Sequence, residues 1–311
     1  RKFAAIMGYN DDATLALRLC GAICMLRCCL YTIYPETLTG IIGYPPAPGA
    51  GGWGKKAGNG PSEEDVMSVM VSVQFYGLVQ GGIAGLCLST ARVGDPYTMS
   101  IVSTVLGTLF FVIGAYAYSM MGTAGLEVGA GVVNKIIGPL VVIATYMLYV
   151  GVSGVRKGAP AGEPLGKSGK MMAIVSAFGI LQGLVPIFMF DKYVASLGLS
   201  IAHPSTEATV KLMLTMWGIC VAAASMARLG VNYAAHTESI YAACRALVIY
   251  VSQMLGALGM VKSLGKFNSE TMGYQCLAGF FYFLLLYFGG TIADDTAATE
   301  AKNASKGKKK K

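Results

Sequence analysis

The chain has 311 residues, 54% of them hydrophobic and 13% charged, with a mean hydropathy of +0.57 and a formal net charge of +8. Soluble domains carry roughly twice that charged fraction. Soluble disorder, a nucleic-acid-binding domain and a disulfide scaffold all fit poorly, and the apolar residues gather into eight long runs of the kind that cross a bilayer.

A membrane helix needs about 20 mostly apolar residues. In chain order the runs fall at 13–34, 65–92, 97–121, 134–155, 171–190, 207–230, 238–262 and 271–292. The first carries Arg18 and Arg27 and is the weakest; without it the N-terminus would move across the membrane. Between the first two runs, the segment 35–64 holds Pro45, Pro46, Pro48, Pro61 and a Gly-rich stretch around Trp53, and is expected to be an irregular loop. With eight spans both termini share one side, side A. That side receives 15 of the 24 Lys and Arg residues against 7 on side B, while the acidic residues divide evenly. The positive-inside rule then makes side A cytosol, matrix or stroma. Tyr31, Tyr34, Tyr116 and Tyr118 fall near side B, and Tyr97, Tyr146, Tyr149, Tyr233 and Tyr241 near side A, where amphipathic rings favour the interface.

The second run closes on Ser89-Thr90-Ala91-Arg92-Val93-Gly94 and the sixth on Ser225-Met226-Ala227-Arg228-Leu229-Gly230, both S-x-A-R-[VL]-G at an offset of 136. The same offset sets Gly82 over Gly218, Ile83 over Ile219 and Tyr97 over Tyr233. The expected fold is an all-α polytopic membrane bundle of about eight transmembrane helices, built as two tandem four-helix repeats. Residues 1–155 form the first unit, 156–170 a basic Pro/Gly linker, 171–292 the second unit and 293–311 a disordered basic tail. An even number of spans per unit makes the copies parallel. Helix-end chemistry explains the shared hexapeptide equally well: the Arg snorkels to the headgroups and the Gly supplies a left-handed C-cap.

Small residues mark packing. Gly77, Gly81, Gly85 and Ser89 recur every fourth residue in the second run as two overlapping GxxxG steps. In lipid such residues let backbones approach and gain dispersion contacts. The offset puts Met213, Trp217, Val221 and Ser225 at those places in the second unit, so the two units cannot pack identical surfaces. The glycine face is expected to meet another helix of this chain, or else a partner subunit.

Ionisable groups inside a span are functional candidates by default. Arg18, Arg27 and Arg245 could contact anions or lipid headgroups, but each lies within about two turns of a span end and can also snorkel. No Asp or Glu lies well inside any span: Glu63, Glu64, Asp65, Glu207, Glu238 and Glu270 all stand at span starts, where they complement the helix dipole. A carboxylate proton relay or an intramembrane Na⁺ site is therefore not expected. Cys20, Cys24 and Cys28 share one helix face, but no CxxC pair occurs, and buried thiols usually act as small apolar fillers, so no metal is expected. His203 and His236 fall on opposite sides of the membrane. His236 is a candidate axial ligand for a pigment or haem, with an interfacial polar role as the alternative. No nucleophile with a base, HExxH, P-loop or dinucleotide fingerprint is present, so an enzyme is not expected.

The tail runs from Asp294-Asp295 to Lys308–Lys311 and could hold anionic lipid or an acidic partner surface. Lys308 and Lys309 also stand where a dilysine signal for endoplasmic-reticulum retrieval would have them. Arg1 at the start suits either removal of an organellar presequence or truncation. The leading functional expectation is a non-catalytic integral subunit of a larger complex in an organellar energy-transducing membrane, respiratory or photosynthetic. Its expected partners are membrane lipids and other integral membrane subunits, not nucleic acid. Bound lipid is the expected cofactor, with chlorophyll or another pigment compatible. The alternative is a transporter or channel for a small anionic solute, and a retrieved endomembrane protein comes third.

Overall fold

The computed structural model describes residues 2–41, 61–120, 137–155, 167–234, 236 and 238–248, and these are all-helical with connecting turns. We number the helices α1 (Lys2–Ile33), α2 (Pro35–Ile41), α3 (Glu63–Val93), α4 (Pro96–Ser119), α5 (Gly138–Val155), α6 (Lys167–Phe188), α7 (Phe190–Leu197), α8 (Pro204–Ala234) and α9 (238–248). Five of them, α1, α3, α4, α6 and α8, are long and apolar enough to cross a membrane, and α5 contains a shorter apolar stretch, Gly138–Ser153. The last expected span, 271–292, the tail, most of 238–262 and most of the linker lie outside the described residues.

Local chemistry sets the helix ends. At the start of α3, the Asp65 N–H donates to Ser62 Oγ at 3.1 Å while the Ser62 N–H donates to Asp65 Oδ2 at 3.1 Å, a reciprocal capping box. The helix stops at Gly94, whose φ of 73° is the left-handed conformation that glycine adopts without a Cβ clash, and whose N–H reaches Thr90 O at 3.1 Å. Asp95 follows at once as the N-cap of α4, accepting from the Thr98 N–H at 2.7 Å, with Pro96 in the first turn where no donor is needed. Only Gly94 and Asp95 separate the two helices, so the chain turns sharply between α3 and α4.

Two departures from the sequence expectation concern breaks. The segment 35–64 is not irregular at its start: Pro35–Ile41 is helical, because Pro35 opens the helix and the other prolines come later. The fifth run is not one rod to residue 190. Pro186 withdraws a backbone donor inside α6, the helix ends at Phe188, and the chain restarts as α7 after Met189. Each of the two long outer helices is thus followed by a short one, α2 after α1 and α7 after α6.

Helices α3 and α8 form the centre. Each has 31 residues, about 46 Å at 1.5 Å per residue, and each is 83% buried over its most apolar window, against 39% for α1 and 22% for α6. α1 packs chiefly on α3, α6 on α8, and α4 on both α5 and α8, while α3 and α8 touch each other. One dominant apolar core runs through the bundle, with Trp217, Phe110, Leu17 and Ile83 among its fully buried side chains.

Candidate functional site

The glycine row of α3 meets two different helices. A Cβ on Gly77 would stand 2.9 Å from Tyr31 Cβ and 3.1 Å from the Thr32 backbone N, both on α1. A Cβ on Gly85 would stand 3.4 Å from Ala246 Cβ on α9. Gly81 is buried between them, and Ser89, half-buried, returns its hydroxyl to Leu86 O at 3.0 Å. In the second half, Met213, Trp217, Val221 and Ser225 are all buried. Close approach there comes instead from Gly183 of α6 and Gly218 of α8, where a Cβ on either residue would run into the backbone of the other.

The three arginines part company. Arg18 is exposed on the outer face of α1 beside the exposed Leu15 and Leu19. Arg245 is exposed on α9. Arg27 is half-buried, and its electrostatic neighbours are Tyr76, Tyr31, Cys24 and Cys20, with Cys220 of α8 also within its field. Side chains on a helix lean toward its N-terminus. Arg18 therefore leans toward the nearer end of the apolar stretch Asp11–Ile33, whereas Arg27, six residues from the C-terminal end, leans back into the bundle.

Around Arg27 the interior is polar. Tyr31 and Tyr76 stack with ring centroids 6.0 Å apart. Gln80, fully buried one turn beyond Tyr76 on α3, donates from Nε2 to Cys220 Sγ at 3.5 Å, while its Oε1 has no partner among the described residues. Cys20, Cys24 and Cys28 turn inward, and Cys87 Sγ lies 3.7 Å from Cys20 Sγ. Cys29 is exposed. Among the described residues, no group of three or more His, Cys, Asp or Glu side chains is arranged to hold a metal ion.

Both histidines are engaged at helix starts. The Ser205 N–H donates to His203 Nδ1 at 3.3 Å ahead of α8, and the Ser239 N–H donates to His236 Nδ1 at 3.3 Å ahead of α9. An imidazole acceptor here does the work of an N-cap oxygen. For His236 this leaves Nε2 as the nitrogen for any axial ligation.

Two features had no signature in the sequence. Asp65 reads as one of several acids at a helix start, yet it is 2% exposed, and its Oδ1 accepts from Ser200 Oγ at 3.1 Å and from the Ala202 N–H at 3.1 Å. Ser68 Oγ accepts from the Ser200 N–H at 2.8 Å. These bonds tie the start of α3 to the turn ahead of α8, across 135 residues of chain. Gln80 is the other; the same apolar run also holds Gln74, and no pattern of spacing sets Gln80 apart as the fully buried one. No family model, no curated protein and no solved structure matches this chain.

Proposed function

We propose that the chain is a non-catalytic integral subunit of a larger complex in an organellar energy-transducing membrane, respiratory or photosynthetic, with a structural and assembly role. The observation that carries this reading is the filled centre. Trp217, 2% exposed at the middle of α8, stacks on Tyr193 at 5.9 Å between ring centroids and meets Phe75 of α3 at 6.0 Å. A path between the two halves would have to pass where these rings stand. Outward, α1 offers Leu15, Leu19 and Leu26, and α6 offers Ile174, Phe178 and Leu181, apolar surfaces suited to lipid or to neighbouring subunits.

In this reading the chain has eight spans, both termini on side A, and two parallel four-helix units. Several contacts support the duplication: α1 on α3 is matched by α6 on α8, and α4 against α8 by α9 against α3 at Gly85–Ala246. Lipid and a pigment at the rim, with His236 Nε2 as an axial ligand, belong to the same reading. A transporter or channel for a small anionic solute is the second reading, favoured by the half-buried Arg27.

The test is separation of mildly solubilised native membranes by size, with the chain followed by antibody. Co-migration with a respiratory or photosynthetic complex is expected. Migration only as a monomer or homodimer refutes the subunit role.

A further inference from the structure

We propose that Arg27 and Gln80 hold a small monovalent inorganic anion, of halide size, inside the bundle. The packing of α1 on α3 fixes where they stand. A Cβ on Gly21 would meet Cys87 and Leu88, and one on Gly77 would meet Tyr31 and Thr32, so the two helices are antiparallel and Arg27 falls level with Gln80 and Gly81. Tyr31 is one turn from Arg27 on α1, Tyr76 is one turn from Gln80 on α3, and their rings stack at 6.0 Å. One cation and one buried amide therefore share a level inside the apolar part of the helices, with two stacked phenols one turn away.

Charge decides the ligand. A guanidinium remains protonated at any physiological pH, and a charge taken into a bundle interior needs a counter-charge. Among the described residues none stands there: the charge-bearing neighbours of Arg27 are the phenols Tyr76 and Tyr31 and the thiols Cys24 and Cys20, and by sequence no Asp or Glu falls well inside the apolar run of α1 or α3. The amide completes the set. Among the described residues Gln80 has one unsatisfied heteroatom, beside the Cys220 thiol, and a thiol both donates and accepts. With the amide turned over, Cys220 donates to Oε1 and Nε2 is left to donate to an anion. Depth then decides between sources of negative charge. Arg27 Cα lies about 9 Å from the C-terminal end of α1 at 1.5 Å per residue, and its side chain leans further inward. A lipid phosphate stays at the headgroup level, whereas a halide carries no acyl chains that would hold it there.

The inference is independent of the subunit reading, since a bound anion can serve a structural protein as well as a transporter. The experiment is thermal unfolding of the purified full-length chain in sodium bromide against sodium gluconate at equal ionic strength. Bromide is expected to raise the midpoint by about 3 °C, by binding the folded state alone. The shift should vanish in Arg27→Gln and persist in Arg18→Gln, whose guanidinium is exposed. Should Arg27→Gln not fold, Gln80→Leu keeps the cation and is expected to need roughly tenfold more bromide for the same shift. A parent indifferent to bromide, a shift undiminished in Arg27→Gln or Gln80→Leu, or stabilisation by added phosphatidylglycerol alone would each overturn the halide site.

Discussion

The pairs α1–α3 and α6–α8 solve one packing problem with different chemistry. In both, an outer helix lies along a buried 31-residue central helix. In α6–α8 the contact is backbone against backbone: a Cβ on Gly183 would stand 2.8 Å from Ala222 N and closer still to Gly218 O. In α1–α3 the upper contact is backbone against side chain, because a Cβ on Gly21 would meet Leu88 Cγ at 2.8 Å, and Leu88 is itself exposed enough to swing outward. A helix pair in lipid is therefore only as intolerant of a methyl group as the least movable atom facing it.

The sharpest way to break this comparison is one methyl group on each side. Gly183→Ala is expected to cost about 3 kcal/mol, since neither backbone can retreat without parting the helices, whereas Gly21→Ala should cost under about 1 kcal/mol. Detergent-unfolding midpoints of the two variants check it. Equal losses would mean that contact with backbone is not what separates the pairs.

The next largest effect concerns the tie between the halves. Asp65→Ala removes both carboxylate oxygens, and with them the acceptor at Oδ2 for the Ser62 N–H and the acceptor at Oδ1 for Ser200 Oγ and the Ala202 N–H. A loss of about 2 kcal/mol is expected, the cost of leaving a buried donor unpaired. Hydrogen exchange should accelerate at the Ala202 amide first. Unchanged exchange there would show that the bond does not hold the turn ahead of α8 onto α3.

Much of the architecture was legible because the bilayer demands long apolar runs, and five such helices appear close to where hydropathy puts them. Their ends were less legible. Pro35 looks like part of a Pro-rich loop but opens a helix, and the effect of Pro186 depends on where the helix can afford to lose a donor. Packing partners were less legible again, because spacing shows a small-residue face but not what meets it. Gly107 lies outside the glycine row of α3, yet a Cβ there would stand 2.9 Å from Leu148 N on α5. Among the site residues, pattern alone could not separate Arg18 from Arg27. Their difference lies in which end of the apolar stretch Asp11–Ile33 is nearer, and in side chains brought from α3 and α8.

The smallest expected effect tests the shared hexapeptide. Gly94 and Gly230 occupy the same place in S-x-A-R-[VL]-G, and helix-end chemistry assigns both a left-handed C-cap. Only Gly94 has that conformation; α8 continues through Gly230 to Ala234, and a Cβ there would press on Ile101 Cγ2 of α4. Gly94→Ala should therefore cost about 1 kcal/mol through its backbone, with open space around the new methyl group. Gly230→Ala should cost a similar amount through contact alone, offset in part by the better helix propensity of Ala. The two causes separate in a double-mutant cycle with Ile101→Ala. Removing the Ile101 side chain should restore most of the Gly230→Ala loss and leave the Gly94→Ala loss untouched. A Gly94→Ala loss that Ile101→Ala also relieved would show that tertiary contact, rather than backbone conformation, ends α3.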